Sequence, residues 1–526
     1  MRLRIHRALY ILILTLLAGS VVTSNFMMNL AWTLLFANWV IEWDMKRKFS
    51  NFGHKGLLHF SIALFLVTAV GLIWSDDIMD GLDRLRQTLP LLVIPLVVLT
   101  SRPLGRRQWR FVAVGYIGTL FVVTIIGLVR WLTIPDLPYR RIVPYISHIR
   151  FCLNLCLAIC IMVASLVSAV LRKVNGQPLP TTTHPAVNIV GYSLCVILSL
   201  WFLCFLFLIQ SYTGLAILIM AALVSCLFGL YKVKSRRMRW IFLGLVVLPI
   251  GVFAALCFYY VGEYYTPRLA NVDKSRYTVN GNAYTFAHDG LTECGRYVND
   301  YVCEEELRSQ WPTVSDYPID SLTVVGYPVY PALVRYLNAM GVTKDSAGIA
   351  CLTSSDVVAI EQGIANPIYI QESSLRRMTY VMLFEYESYR CFHSVKGFTM
   401  LQRMELWQAA WIEVCENWLH GVGTGDVKKE LDHRLQISGS PLAGTQMYPH
   451  NQYLTYMMSY GVIAFVFLCG VALWAFFRQR LWRNTLWVAS ATIVIISCLT
   501  EDTLMTSAGA IFAALFLSLL SRRVNT

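Results

Sequence analysis

The chain has 526 residues, of which 56% are hydrophobic and only 14% are charged, and its mean hydropathy is +0.54. This composition lies outside the range of soluble globular proteins and indicates that a lipid bilayer is the main solvent. The net charge of +13 could suggest a nucleic-acid-binding protein. Most of the excess charge, however, lies in short loops, where basic residues set membrane topology and can contact anionic lipid. We therefore expect a lipid bilayer, and no nucleic acid, as partner.

About twelve apolar runs are long enough to cross the hydrocarbon core as helices. They lie near 8–24, 27–43, 57–74, 88–100, 111–132, 151–170, 189–209, 213–231, 240–260, 453–476, 485–500 and 505–520. The run at 88–100 is short and contains two prolines, so the sequence leaves its start open. No small-x-small cleavage site precedes a soluble domain, so the first run is predicted to remain as a helix.

Basic residues cluster before the first run, after every even-numbered run and at the end of the chain. The clusters are Arg2, Arg4 and Arg7; Lys46, Arg47, Lys48 and Lys55; Arg102, Arg106, Arg107 and Arg110; Arg172 and Lys173; 232–239; Arg478, Arg480 and Arg483; and Arg522 and Arg523. Because Lys and Arg accumulate on the cytoplasmic side, we predict that both termini are cytoplasmic.

A long polar segment runs from about Tyr260 to Pro449, and the same topology places it outside the cytoplasm. Long segments between spans are usually functional or disordered. Aromatic residues throughout this one favour a folded, mostly helical insert, with helices predicted at 356–362 and 373–389. The predicted organisation is a membrane bundle at 1–260, a periplasmic insert at 261–449 and three C-terminal membrane helices at 450–526.

Five cysteines lie in the external segment, where disulfide bonds can persist. The candidate bridges are Cys294–Cys303 and Cys351–Cys391, and the odd number, which includes Cys415, leaves at least one thiol unpaired.

The stretch from Arg403 to Gly461 carries the strongest functional signal. It contains Arg403-Met-Glu-Leu-Trp407, His420-Gly-Val-Gly-Thr-Gly-Asp426 and Pro449-His-Asn-Gln-Tyr-Leu454. An amphipathic helix thus carries an arginine, a glycine-rich turn follows, and a histidine arrives at the mouth of the next span. This order predicts a site at a membrane surface.

His450 is a candidate general base because imidazole changes its protonation state near neutral pH. The alternative is a structural histidine that caps the helix beginning near Asn451. Arg403 is a candidate phosphate ligand, because a guanidinium binds phosphate oxygens bidentately and keeps its charge. The alternative for Arg403 is a surface ion pair with Glu405 or a neighbour.

Together, Arg-x-x-x-Trp, Gly-Val-Gly-Thr-Gly-Asp and His-Asn-x-Tyr-Leu, followed by Tyr460-Gly461, resemble the signature of the O-antigen ligase family of bacterial membrane glycosyltransferases. The family includes related O-antigen polymerases. The resemblance implies an all-α polytopic fold of GT-C-like architecture in the inner membrane, with the active site facing the periplasm. It also implies substrate contacts by Asn451 and Tyr453. The insert is similar to the extended external loop of Bacteroidetes-type members.

The activity implied is transfer of a glycan from undecaprenyl diphosphate to lipid A–core in lipopolysaccharide biosynthesis, with no metal and no cofactor. In the polymerases the acceptor is another lipid-linked repeat unit, and the motifs do not separate the two. A transporter of lipid-linked glycans is a third hypothesis. Transporters tend to show paired repeats, whereas this sequence has one asymmetric insert.

Further candidates lie at other membrane boundaries. His148 and Arg150 are polar residues of a kind that is costly to bury, so they are expected to be paired or functional. Relatives carry a Ser-Arg-Gly-like turn where this chain has Gln210-Ser-Tyr-Thr-Gly214, with Tyr212 in the place of arginine. Arg150 or Arg268 would then have to supply the missing positive charge.

Glu501 and Asp502 lie between the last two runs and could orient His450, position an acceptor hydroxyl or pair with an arginine. The alternative is a helix N-cap formed by Thr500 or Asp502.

Two other interpretations of the central stretch are disfavoured. The glycine turn follows no strand and has no following Lys-Ser/Thr, which argues against a nucleotide-binding loop, and we expect a flexible turn. A metal site formed by His420, Asp426, His433 and His450 lacks a recognisable ligand spacing.

Overall fold

The computed structural model of the protein describes residues 2–50, 52–134, 137, 141–174, 185–230, 233, 235–266, 276–287, 289–324, 326–371, 374–392 and 399–522. Helices dominate these residues, and one lies at each of the twelve predicted apolar runs. The helices of the first half are α1 (Arg2–Ser20), α2 (Asn25–Glu42), α3 (Met45–Lys48), α4 (Gly56–Val70), α5 (Ile78–Thr100), α6 (Arg106–Thr133), α7 (His148–Val174), α8 (Pro185–Leu208), α9 (Tyr212–Gly229) and α10 (Arg236–Tyr265).

The second half begins with four short strands, β1 (Thr285–Phe286), β2 (Thr292–Glu293), β3 (Arg296–Tyr297) and β4 (Asp300–Val302). Its helices are α11 (Glu304–Gln310), α12 (Val329–Met340), α13 (Ser346–Ala350), α14 (Ser354–Glu361), α15 (Ile368–Gln371), α16 (Ser374–Phe392), α17 (Thr399–Glu416), α18 (Val427–Ile437), α19 (Gln452–Arg478), α20 (Thr485–Thr500) and α21 (Ser507–Ser521). Short 3-10 helices lie at Phe52–His54, Trp311–Thr313, Leu481–Arg483 and Thr503–Met505. The helices expected at 356–362 and 373–389 are confirmed as α14 and α16.

Six helices in the described part of the chain are long and apolar enough to cross a membrane, by length and composition alone. They are Leu3–Ser20, Arg106–Thr133, His148–Lys173, Ile189–Leu208, Val247–Tyr265 and Gln452–Arg478. Four shorter apolar helices lie at Gly56–Val70, Thr213–Gly229, Thr485–Thr500 and Ser507–Ser521. The largely helical content and the scarcity of sheet agree with an all-α membrane protein, while the count of twelve spans remains a prediction.

Helix α5 begins ten residues earlier than the apolar run from which it was predicted. Its first turns are polar, and the side chain of Asp77 caps them by accepting a hydrogen bond from the backbone N–H of Asp80 at 2.9 Å. Hydropathy alone cannot detect a polar helical extension of this kind. The extension brings Arg84 into the helix.

Contacts divide the chain into two compact units, one made of 1–248 with 405–526 and the other of 249–404. The predicted limits at 260 and 449 are topological and remain predictions. In the first unit, α20 packs against α7 and α9, α21 against α5, and α4 against α5 and α19. Helix α21 is buried along most of its length, from Ala508 to Leu520, which is typical of a central helix.

The second unit has its own apolar core around Trp311, Leu333 and Leu337. Strands β1 and β4 pair antiparallel, as do β2 and β3. A buried ion pair joins the sheet to α12, because Arg335 donates to both carboxylate oxygens of Glu293 at 2.9 and 3.0 Å. A buried charge requires such a partner, so this pair fixes α12 against β2.

All fourteen cysteines are free thiols, so neither candidate disulfide forms. Cys294 lies in the turn between β2 and β3 and packs in a cluster with Tyr264 and Tyr380. Cys303 lies directly before α11, and its backbone N–H donates a hydrogen bond to the carbonyl of Lys344. Cys351 is exposed after α13, and Cys391 is half-buried in α16.

Candidate active site

The glycine-rich turn at 421–426 is buried and tightly packed, so the expectation of a flexible turn is wrong. Thr424 donates through its backbone N–H to Gly71 at 3.1 Å and through its hydroxyl to Thr68 at 2.8 Å. The backbone N–H of Gly425 donates to Ser75 at 3.0 Å. A Cβ on Gly425 would lie 1.9 Å from the carbonyl oxygen of Asp77. The glycine is required because two backbones approach this closely.

Asp426 is the last residue of this turn, which we call the glycine clasp (421–426). Its carboxylate accepts hydrogen bonds from the backbone N–H groups of Asp76 and Asp77 at 2.8 and 2.9 Å. These amides lie just before the start of α5, where N–H groups lack partners within the helix. The clasp therefore fixes the N-terminal end of α5.

The clasp also fills an interruption in α19. Gly461 has φ +80° and ψ 164°, which breaks the helix after its first nine residues. The N–H groups of Val422 and Gly423 donate to the carbonyls of Met458 and Ser459 at 2.8 and 3.1 Å, and the N–H of Val462 donates to Trp418 at 2.7 Å. Backbone groups freed within a membrane helix need such partners. The break is thus a built feature of the fold.

His450 lies immediately before α19 with φ +52°, in the left-handed region that residues other than glycine rarely adopt. Its neighbour Asn451 caps the helix by accepting hydrogen bonds from the backbone N–H groups of Tyr453 and Leu454. The capping role is therefore taken by Asn451, and the alternative of His450 as the cap is wrong. The imidazole is 37% exposed and accessible to a ligand.

Glu501 connects two of the predicted residues. Its Oε2 lies 3.9 Å from Nδ1 of His450 and 3.9 Å from a terminal nitrogen of Arg150. Nε of Arg150 also donates to the hydroxyl of Thr506 at 3.1 Å. Glu501 is buried, with 10% of its side chain exposed. The starts of α7 and α19 and the end of α20 thus bring a base, an acid and a cation together.

Asp502, the residue that follows Glu501 in the chain, is buried. Its Oδ1 accepts a hydrogen bond from the hydroxyl of Thr455 at 2.5 Å. Burial raises the pKa of Asp502, while the bond from Thr455 and the nearby His450 act in the opposite direction. Thr506 caps α21 by accepting a hydrogen bond from the backbone N–H of Gly509. Asp502 precedes the 3-10 helix Thr503–Met505, but its side chain makes no capping hydrogen bond there.

Gln452 links α19 to the segment between α20 and α21, because its Oε1 accepts a hydrogen bond from the backbone N–H of Leu504 at 2.8 Å. Its Nε2 is buried and has no hydrogen-bond partner among the described residues. The hydroxyl of Tyr456, one turn further along α19, is also buried and has no hydrogen-bond partner among the described residues. Both are donors that a ligand oxygen could satisfy.

Arg84 is a residue that sequence analysis did not identify. It is buried on α5, with its guanidinium carbon 4.1 Å from the ring centre of Tyr448, and one of its terminal nitrogens lies 3.7 Å from the sulfur of Met505. The hydroxyl of Tyr448 in turn donates to Asp80 at 3.2 Å, and Lys428 contacts the other oxygen of Asp80 at 3.0 Å. The predicted topology puts this part of the chain outside the cytoplasm, so a basic residue there, against the positive-inside trend, was the available signal. Arg84 supports the segment that carries His450.

The remaining predicted residues lie elsewhere or are engaged differently. His148 is half-buried in the first turn of α7. The hydroxyl of Tyr453 donates to the carbonyl of Ile495 at 2.8 Å and so joins α19 to α20. Arg403 is half-buried on α17 in the second unit, where its role as a phosphate ligand remains a prediction.

Two further residues of interest fall where the structure gives no side-chain description. Arg268 lies outside the described residues. Tyr212 begins α9, but only its backbone is described. Which of Arg150 and Arg268 replaces the arginine expected at position 212 therefore stays a prediction.

Within the described ranges, no group of three or more His, Cys, Asp and Glu side chains is arranged to hold a metal ion. Asp426, one of the four ligands considered from the sequence, uses both carboxylate oxygens on backbone N–H groups.

Comparison of the chain with models of known protein families and with the sequences of curated proteins gives no match. The resemblance to the O-antigen ligase family therefore rests on the motifs in the sequence.

Proposed function

We propose that this protein is a membrane glycosyltransferase of the O-antigen ligase type, which moves a glycan from a polyprenyl diphosphate carrier to an acceptor hydroxyl. The observation that supports this most directly is the meeting of His450, Glu501 and Arg150 at the ends of three apolar helices. A proton acceptor and a cation side by side are what a displacement at a glycosyl diphosphate requires.

His450 serves as the general base in this proposal. The Nδ1 atom faces the carboxylate of Glu501, which favours the tautomer with hydrogen on Nδ1 and leaves Nε2 free to accept a proton from the acceptor hydroxyl. The separation of 3.9 Å is longer than a hydrogen bond, and such contacts commonly shorten when substrate binds. General-base help of this kind contributes a factor of roughly 10²–10⁴ in rate.

Arg150 is the proposed partner of the departing diphosphate. Its side chain is 16% exposed, and the bonds to Thr506 and Ser147 hold the guanidinium at the start of α7. Negative charge builds on the diphosphate as the glycosidic bond breaks, and a preorganised cation stabilises that charge. The diphosphate is already a good leaving group, so the proposal includes neither metal nor nucleotide. A single displacement would invert the anomeric carbon.

Transport of a lipid-linked glycan is the competing class of function, and the interrupted helix α19 is a feature that transporters share. In transporters, unwound segments expose backbone groups to a substrate or an ion. Here the freed carbonyls of Met458 and Ser459 accept hydrogen bonds from the glycine clasp instead. This favours the enzyme.

The deciding experiment is a profile of surface glycolipids and carrier-linked glycans in a deletion strain that expresses wild type, His450→Ala or His433→Ala. His433 is an exposed histidine of α18 and serves as the matched control. For a ligase, the deletion and His450→Ala both accumulate long polymers on the carrier and leave lipid A–core bare, while His433→Ala restores transfer.

Two other outcomes would contradict the proposal. Single repeat units on either lipid would indicate a polymerase. Full activity of His450→Ala, combined with failure of the donor to reach the outer leaflet in the deletion strain, would indicate a transporter.

A further inference from the structure

A cavity of about 570 Å³ lies in the first unit, toward the end of α7 opposite to Arg150. Arg150 and Thr506, which are hydrogen-bonded to each other, lie at the starts of α7 and α21. The cavity is instead lined by later residues of these two helices and by residues in the first parts of α6 and α8. Its volume falls within the range of small-molecule sites. The sequence motifs and the proposed reaction assign no role to it.

Five arginines converge on the cavity: Arg102, Arg106, Arg110, Arg172 and Arg522. None of the described residues that line it is acidic, and none of the five forms a salt bridge with a described carboxylate. The positive-inside rule explains why these loops are basic. It does not explain why five cations from three separate segments face one concave space. Arg478, Arg480 and Arg483 satisfy the same rule and do not line this cavity.

Helix polarity adds to the positive potential. Arg106 and Arg110 lie in the first two turns of α6, whose N-terminal end carries a partial positive charge. Acidic residues would be favourable there and basic ones are unfavourable. Like charges at such a place are tolerated most easily when an anion is bound between them.

Beyond the arginines, the lining includes a group of apolar side chains together with Ser165, Ser168 and Tyr192. Val114, on α6, is 69% exposed, and Ala113, Ile161 and Leu519 line the cavity beside it. Trp109 is half-buried at the same level, as is common for tryptophan at a membrane interface. A free phosphate ion would leave this apolar part unused, whereas a lipid would fill both parts.

We propose that this cavity binds the phosphate headgroup of an anionic phospholipid, with its acyl chains against the apolar part. Basic pockets between membrane helices are suited to such headgroups. This site is independent of the proposed glycosyl transfer. By the predicted topology it faces the cytoplasmic leaflet.

The test is native mass spectrometry of the purified full-length protein with phosphatidylglycerol, and with phosphatidylcholine of the same acyl chains. The variants are Arg106→Gln/Arg110→Gln and the matched control Arg107→Gln/Arg480→Gln, which removes two exposed cations outside the cavity. Each cation near the surface contributes about 1 kcal/mol to anionic-lipid binding, so the first pair should weaken phosphatidylglycerol binding roughly 30-fold. The control pair should bind as wild type does.

A third variant, Ala113→Trp, keeps every charge and fills the apolar part, and it should also lose phosphatidylglycerol. Size-exclusion chromatography and circular dichroism establish that each variant is folded. Equal loss in both double variants, equal retention of the two lipids by wild type, or unchanged binding to Ala113→Trp would overturn the proposal. Full displacement of the lipid by millimolar inorganic phosphate would assign the cavity to a free anion and overturn it as well.

Discussion

At the scale of single residues, the candidate site depends on Glu501, whose carboxylate lies near both His450 and Arg150. Its two separations of 3.9 Å place it where it can orient the imidazole and hold the guanidinium. His450 alone is a half-exposed histidine on a left-handed backbone. The carboxylate of Glu501 is the group that can orient the imidazole ring of His450.

We predict that Glu501→Gln lowers kcat of glycosyl transfer roughly 100-fold, because the amide cannot stabilise the imidazolium that forms when His450 takes a proton. Glu501→Asp should recover part of the rate, since it retains the charge. Transfer from a purified lipid-linked donor, followed as kcat and KM separately, measures the effect. Glu416→Gln, which changes an exposed acid on α17, is the control. Equal activity of Glu501→Gln and the control would remove Glu501 from the mechanism.

The second unit contains a glutamate whose protonation state affects the stability of the fold. Burial raises the pKa of Glu385, on α16, to about 7. The folded protein therefore holds this proton above the pH at which the unfolded chain releases it. The stability that results is complete below the ordinary glutamate pKa and is lost as pH rises through about 7.

We predict that the thermal unfolding midpoint of wild type falls between about pH 5.5 and pH 8.5 by more than that of Glu385→Gln, whose side chain stays neutral. Differential scanning fluorimetry of the full-length protein gives both midpoints. Glu305→Gln, at an exposed acid of α11, should follow wild type. A wild-type midpoint with the same pH dependence as Glu385→Gln would contradict the assignment.

At the scale of elements, the interrupted helix α19 and the glycine clasp form one assembly. A Cβ on Gly461 would meet the carbonyl oxygen of Leu419 at 2.4 Å, on a backbone with φ +80°. The break, the clasp and the start of α5 are mutually dependent, since each supplies hydrogen bonds that another lacks.

We predict that Gly461→Ala destabilises the protein by roughly 2 kcal/mol or more, because the new methyl group meets backbone and the left-handed conformation becomes strained. Gly470→Ala lies in the same helix with open space around its Cβ. It should be neutral or stabilising by up to about 1 kcal/mol. Unfolding midpoints of the two variants in one detergent provide the comparison. If the two alanines behaved alike, the break would not be a structural requirement.

Elements show most clearly what the sequence can and cannot predict. Each of the twelve apolar runs coincides with a helix, because hydropathy reflects the same lipid contact that selects those residues. The start of α5 was missed because its first turns are polar and are held by Asp77 and the clasp. The sequence predicts a flexible turn at the clasp, because glycines indicate turns but do not reveal which backbone segment approaches them.

The motifs identify His450 and Asn451 as candidates, and positions at membrane boundaries identify Arg150, Glu501 and Asp502. The structure brings His450 and Arg150 to the same oxygen of Glu501. Their pairing could not be predicted, because it joins segments that are far apart in the chain. Arg84 was missed for the same reason, since its partner Tyr448 is distant in sequence.

At the scale of the whole molecule, the protein has two compact units and a predicted topology with the insert outside the cytoplasm. Cys351 is an exposed free thiol in the second unit, while Cys294 is buried. These two thiols can report which side of the membrane the insert occupies.

We predict that a membrane-impermeant maleimide labels Cys351 in intact spheroplasts and does not label Cys294. Peptide mass spectrometry locates the adduct, and Cys351→Ser should remove it. Labelling of Cys351 only after the inner membrane is lysed would place the insert in the cytoplasm and reverse the topology.

The clasp also has a consequence for the order in which the protein is made. Asp76 and Asp426 are 350 residues apart, and Arg150 and Thr506 are 356 apart. At about 5–20 residues per second, roughly 20 to 70 s pass between synthesis of the first partner and the second. During this interval α5 and α7 have no counterpart for Asp76 or Arg150. A chain that terminates before Glu501 therefore contains most of the helices but lacks the residues that Arg150 and His450 contact at the candidate site.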